Sequence, residues 1–220
     1  MSIIINNNNN IKELDASKGN VSQKDIKNLY LTKLILNHNL NITNISFMGS
    51  LQILIARGEC GIDDKSVRGL NLVELDVSYN PKFRDISFMY SLRKLIAIGY
   101  CGLDSDGIRG LLLEELDITD NQNIQDISFV KSLKKLTMIG ECILDQDNIK
   151  ELQLIELDIS YNQNIFDISQ IVTLKKLIAV GYCGLNQNGI RGLNLEEIDI
   201  TNNDHIYDIS FMNFLKKFVI

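Results

Sequence analysis

Leucines recur along the chain at a fixed interval. Leu51, Leu92, Leu133, Leu174 and Leu215 lie 41 residues apart, and so do Leu31, Leu72, Leu113, Leu154 and Leu195. The two series interleave and divide the 41 into 21 and 20, so the chain is built from two alternating coil types. Only the first coil, opening at Ile11, is a residue short. Apolar residues fall at positions 1, 4 and 6 of each coil, as Leu72, Leu75 and Val77 do. The step from 4 to 6 is the two-residue period of a half-buried strand. A coil this small cannot bury its apolar side alone, so the coils must stack, with each strand beside its equivalent in a parallel sheet. The return leg of one type supplies Phe83, Ile86 and Met89, or Ile165, Ile168 and Ile171, to the core, with Phe47, Phe88, Phe129 and Phe211 as an aromatic spine beside them. In the other type, Asp104 to Leu111 predicts a short helix after an acidic cap, and Ser22-x-x-Asp25 has the spacing of a capping box.

One coil type reads L-x-x-L-x-(L/V/I)-x-x-N, as in Leu72-Val-Glu-Leu75-Asp-Val77-Ser-Tyr-Asn80. This pattern resembles the leucine-rich-repeat family. Its tail, Ile124-Gln-Asp126-Ile127-Ser128, is similar to short repeats of internalins and of a phosphatase-regulating subfamily. The other type, Leu92-Arg-Lys-Leu95-Ile-Ala97-Ile-Gly99-Tyr-Cys101-Gly-Leu103, resembles the cysteine-containing, ribonuclease-inhibitor-like repeats, with one extra residue before the cysteine. The resemblance covers residues 11–220. It implies an α/β solenoid, a right-handed leucine-rich-repeat coil with a parallel concave β-sheet and short helices or extended segments on the convex side. The chain then divides into an Asn-rich N-terminal segment, 1–10, and a leucine-rich-repeat domain, 11–220, of about ten coils of 20–21 residues plus a final strand.

At 220 residues and 45% apolar, the chain has ample material for a core. A net charge of −6 argues against a nucleic-acid or anionic-membrane partner, which would favour clustered Lys and Arg. No apolar run approaches the ~20 residues needed to span a bilayer. Residues 1–10 hold three isoleucines and then five asparagines, without the charged start and longer apolar stretch of a signal peptide. The expectation is a cytoplasmic or nuclear protein, in which the glycosylation triplets at Asn41 and Asn44 are inert.

The polar residues that recur mostly have architectural duties. Asn39, Asn80, Asn121, Asn162 and Asn203 share one coil position, where a buried amide can satisfy backbone groups of two coils. Cys60, Cys101, Cys142 and Cys183 suggest a metal site or disulfides, but cysteines on alternate coils stand about 10 Å apart. A disulfide needs Cα atoms within about 7 Å, and zinc needs convergent thiolates. They read as reduced, packed thiols. Gly58, Gly99, Gly140 and Gly181 suit a bulge before the cysteine better than a phosphate cradle. His38 and His205 bring no repeated acid or nucleophile with them. No catalytic, cofactor or metal site is expected, and the chain reads as a non-enzyme.

Recognition is then left to the outward strand residues. Position 3 alternates acid and base from Glu13 and Lys33 to Glu197 and Lys217, broken only by Ile53, a ladder suited to cross-strand pairing. Position 5 sets Asp76, Asp117 and Asp158 between aliphatic residues such as Ile96 and Ile178. Position 7 holds Arg57, Ile98, Ile139 and Val180 between hydroxyl residues, and Tyr79, Tyr100, Tyr161 and Tyr182 lie near the strand ends. Exposed aliphatic rows and rim tyrosines are the composition of a protein-contact surface. Regular stripes also arise as a by-product of tandem duplication, and the tyrosines at 79/161 and 100/182 suggest a duplication of 82 residues. A second surface is expected where the repeat stops in mid-coil: Phe214, Phe218, Val219 and Ile220 offer an uncovered sheet edge for end-to-end self-association as a homodimer.

The leading expectation is a non-enzymatic protein-interaction module or scaffold that binds a protein through the concave sheet and rim. The alternative is a regulatory or adaptor subunit of a phosphatase or ubiquitin-ligase complex; no F-box-like helical segment precedes the repeats, which disfavours the ligase version. Repeats of this Asn- and Ile-rich style look like those of amoebae and of the giant DNA viruses that infect them, which extends that alternative to a host-directed viral factor. A surface adhesin fits poorly with free thiols and no signal peptide.

Overall fold

The computed structural model describes Ile3–Ile5 and residues 11–220. They divide into two compact units, the first ending at Leu112 and the second running from Leu113 to Ile220. In the first unit, β1 (Ile3–Ile5) pairs antiparallel with β2 (Ile11–Asp15). From there β3 (Lys33–Ile35), β4 (Ile53–Ile55), β5 (Glu74–Asp76) and β6 (Lys94–Ile96) follow in parallel and in chain order. Paired residues are 20 or 21 apart, the interval set by the leucines. Leu14, Leu34, Leu54, Leu75 and Leu95 therefore face one another across the strands, and all are buried. Each strand is only three to five residues long because position 6 is already the last core residue before the chain turns.

The second unit repeats the plan. Strands β7 (Glu115–Asp117), β8 (Lys135–Thr137), β9 (Glu156–Asp158), β10 (Lys176–Ile178), β11 (Glu197–Asp199) and β12 (Lys217–Val219) run parallel in chain order. Return legs close each coil. Phe83, Ile86, Met89, Ile165, Ile168 and Ile171 are buried, as the periodicity requires.

The short helices are single turns. Helix α1 (Gln23–Ile26) opens on the capping box read from the sequence, with the Ser22 N–H and hydroxyl donating to Asp25 Oδ2 at 2.8 and 2.6 Å. A second α-turn, α2 (Gln146–Ile149), sits at the equivalent place in the second unit, capped by Asp145. The expected helix between Asp104 and Leu111 is reduced to 3-10 geometry at Asp106–Ile108, with Asp104 Oδ1 accepting from Gly107 N–H at 2.9 Å. A methyl on Gly107 would lie 2.1 Å from the Arg84 carbonyl, so the turn packs too closely on the preceding coil for a full helix with side chains on every face. The aromatic spine is also corrected. Phe47 is exposed, while Phe88, Phe129 and Phe211 are half-buried, outside the core. Phe88 instead carries the Arg68 guanidinium, 4.4 Å above its ring.

Candidate interaction face

The open face of each sheet is built by the outward residues at strand positions 3, 5 and 7. At position 3 the charge ladder forms within each unit. Lys33 meets Glu13 at 3.9 Å, Lys94 meets Glu74 at 3.3 Å, Lys135 meets Glu156 at 3.5 Å, and Glu197 meets both Lys176 and Lys217. All are solvent-accessible pairs, so they fix register more than they stabilise.

At position 5 the register sets Ile35, Ile55, Asp76 and Ile96 side by side in the first unit. In the second it sets Asp117, Thr137, Asp158, Ile178, Asp199 and Val219 side by side. Ile96 and Ile178 are half-exposed, and so are Ile98, Ile139 and Val180 at position 7. The aspartates and hydroxyls of the stripes are joined to each other. Asp76 Oδ1 accepts from the Ser78 N–H and hydroxyl, and Asp117, Asp158 and Asp199 take Thr119, Ser160 and Thr201 in the same way, each hydroxyl at 2.7 Å. Asp76 is 0% exposed, and the Nε and Nη2 of Arg57 both reach its Oδ2 at 2.6 Å. At that point the surface presents the guanidinium, with the carboxylate beneath it.

The rim is set by backbone geometry. Position 8 turns through the left-handed region at His38, Tyr79, Asp120, Tyr161 and Asn202, with φ between 54° and 59°. Asp and Asn accept that conformation readily; a bulky aromatic does so at a cost. The side chains at 38, 79, 120 and 161 then lie against the glycine of the following coil. A methyl on Gly99 would fall 2.3 Å from Tyr79 Cε1, and one on Gly181 2.3 Å from Tyr161 Cε1. The recurrent glycine is therefore a seat for the position-8 side chain. Its carbonyl also accepts from the cysteine two residues on, as Gly99 does from Cys101 N–H at 2.9 Å, which closes a tight three-residue turn after the strand. Tyr79 and Tyr161 remain about half exposed, and Tyr100 and Tyr182, next to the glycine seats, are 78% and 79% exposed. Sequence reasoning placed these tyrosines on the rim but missed the glycine seats. The signal was there: an aromatic followed 20 residues later by glycine.

Behind the face, asparagines tie coil to coil. Asn39 Nδ2 donates to the Ala16 and Val21 carbonyls at 2.6 and 2.9 Å, and Asn80 Nδ2 donates to the Ala56 carbonyl at 2.9 Å. Asn162 and Asn203 reach back to Met138 and Ala179. Each Oδ1 accepts an N–H of its own coil, that of Lys82 for Asn80. Parallel strands at a 20- or 21-residue spacing, each followed by a buried asparagine bonded to the preceding coil, define the architecture. It is a solenoid with a parallel sheet, of the kind leucine-rich-repeat proteins have.

No family model matches the chain, and no curated protein matches its sequence. Among solved structures it is similar to an internalin (inlF) from Listeria monocytogenes, at 18% identity over 94% of this chain and 86% of that one, with a TM-score of 0.41. It is also similar to a chain of the Rad7 and Elc1 complex in yeast, at 16% identity over 94% of this chain and 80% of that one, with a TM-score of 0.44.

The solenoid also accounts for the cysteines. All four are buried thiols outside any disulfide. The Cys60 and Cys183 thiols sit 3.7 and 3.5 Å from carbonyls four residues back, and each receives an asparagine Nδ2 of the next coil, at 3.1 and 3.0 Å. Burial pushes the Cys142 thiol up to about 11, far from a thiolate at neutral pH. Among the described residues, no group of three or more His, Cys, Asp or Glu is gathered to hold a metal ion, and no helix is long and apolar enough to cross a membrane. His38 and His205 are exposed. At the far end, β12 is exposed, as are Phe214, Phe218, Val219 and Ile220.

Proposed function

We propose that this solenoid is a protein-interaction module whose open sheet face and tyrosine rim receive a protein partner. The observation that carries the reading is the posture of Tyr79 and Tyr161. Each is held in the left-handed region on a glycine seat, with half its surface turned to solvent beside half-exposed Ile98 and Val180. Rigid aromatics beside an aliphatic stripe are the usual anchors of a protein interface. They bury large area at small entropic cost. The inward leucines, asparagines and thiols are committed to packing, and the aspartates to their own turns.

Affinity capture tests the reading with three proteins: wild type, an Ile96→Lys/Ile98→Lys/Ile178→Lys variant, and an Arg191→Glu variant on a return leg. The reading expects the triple variant to lose partners that the other two retain. Partners kept by the triple variant and lost by Arg191→Glu would move recognition off the sheet face.

A further inference from the structure

The second unit carries a recess of about 520 Å³ on its rim, lined by Gln122, Glu141, Cys142, Ile143, Tyr161 and Asn164 among others. One wall is the Tyr161 ring, seated against Gly181 of the following coil. Glu141 supplies the one carboxylate of the lining: its Oε2 accepts from Gln122 Nε2 at 3.3 Å, and its backbone N–H donates to Asp120 Oδ1 at 3.0 Å. Among the described lining residues there is no Lys or Arg. Ile143 stands here at the position occupied by Gly61, Gly102 and Gly184 in the equivalent coils, and its exposed side chain adds an apolar flank.

The equivalent coils of the first unit carry a cation among the matching side chains. At the same repeat positions 82 residues earlier stand Glu59, Cys60, Tyr79 and Lys82. There the Lys82 ammonium donates to the Cys60 carbonyl at 2.7 Å. In the recess the matching residue is Asn164, whose neutral Nδ2 donates to the Cys142 carbonyl at 2.7 Å. The second unit thus has the acid and the aromatic at the matching positions, with a neutral amide where the first unit has an ammonium.

We propose that the recess receives a basic side chain, arginine or lysine, from the protein partner. The Glu141 carboxylate faces its charge, and the Tyr161 ring offers a flat surface for cation–π contact. This proposal rests on reading the chain as a protein-binding module and names the chemistry of the partner at one point.

The test is an NMR titration of the full chain with the capped tripeptides Gly-Arg-Gly and Gly-Lys-Gly, with Gly-Gln-Gly as the neutral control. Saturable shifts confined to residues 140–143 and 161–164 are expected for the basic peptides. Glu141→Gln should weaken them at least fivefold, and so should Tyr161→Asn, which repeats the residue at equivalent position 202. Glu59→Gln should leave them unchanged. Equal shifts from the neutral peptide, or undiminished binding to a folded Glu141→Gln protein, would overturn the proposal. The two readings fail separately. Glu141→Gln can retain partners that the sheet-face variant loses, and the recess can bind arginine peptide although the sheet-face variant retains every partner.

Discussion

Single residues in this solenoid do one of two jobs, and their surroundings decide which. Asn80 satisfies the Ala56 carbonyl and touches Cys60 Sγ in the buried interior, and accepts the partly buried Lys82 N–H. Asn80→Ala leaves the buried Ala56 carbonyl with only the weak Cys60 thiol contact, which costs about 2 kcal/mol. Urea denaturation should show that loss. Gly102 and Gly49 separate close approach from mere glycine. A methyl on Gly102 would fall 2.4 Å from the Pro81 carbonyl, while at Gly49 nothing lies within 4 Å. Gly102→Ala should therefore destabilise by roughly 1–3 kcal/mol. Gly49→Ala should stay within about 0.5 kcal/mol of wild type in the same assay. The asparagine row was legible in the sequence because a polar residue recurring at a buried position has few other uses. The pairing of Asp76 with Ser78 was not: the residues were read as two exposed rows, although their two-residue spacing is that of a local side-chain turn.

At the scale of the element, strand register came directly from the leucine interval, since each residue pairs with its equivalent one coil away. The helices were harder to read. A capping box marks where α1 starts, but the length of the turn is set by how near the preceding coil lies, which no local pattern states. Strand β1 was also missed. Its three β-branched isoleucines carried the signal, yet antiparallel pairing to β2 breaks the repeat used to find everything else. Return legs have their own acid–hydroxyl turns, such as Asp85 with Ser87. The Ser87 hydroxyl and N–H hold the Asp85 carboxyl below its ordinary value. A carboxyl lowered in the folded state contributes stability above its unfolded pKa of about 3.9 and loses it as pH falls through the lower, folded value. Wild type should thus exceed Ser87→Ala in stability at pH 7, and the gap should narrow below about pH 4. A gap that stays constant down to pH 2 would remove the carboxylate from the explanation.

Over the whole molecule, the periodicity that made the fold readable also conceals the site. A repeat announces what every coil shares, and on the proposed reading binding is carried by what a few coils do differently. Those departures include Arg57 over Asp76, tyrosine instead of Asp or Asn in a left-handed turn, and Ile143 where three equivalent coils have glycine. The first and third departures are visible in an alignment of the coils, but their meaning needs the stacked neighbours. The central claim is that recognition occurs on the sheet face and its rim. Photocross-linking tests it most directly, with a benzophenone side chain installed at Tyr100 or Tyr182 and, in matched proteins, at Arg109 or Arg191 on the return legs. Adducts to a common partner from the two tyrosine positions, and none from the arginine positions, are the predicted result. Adducts from the arginines with none from the tyrosines would contradict it.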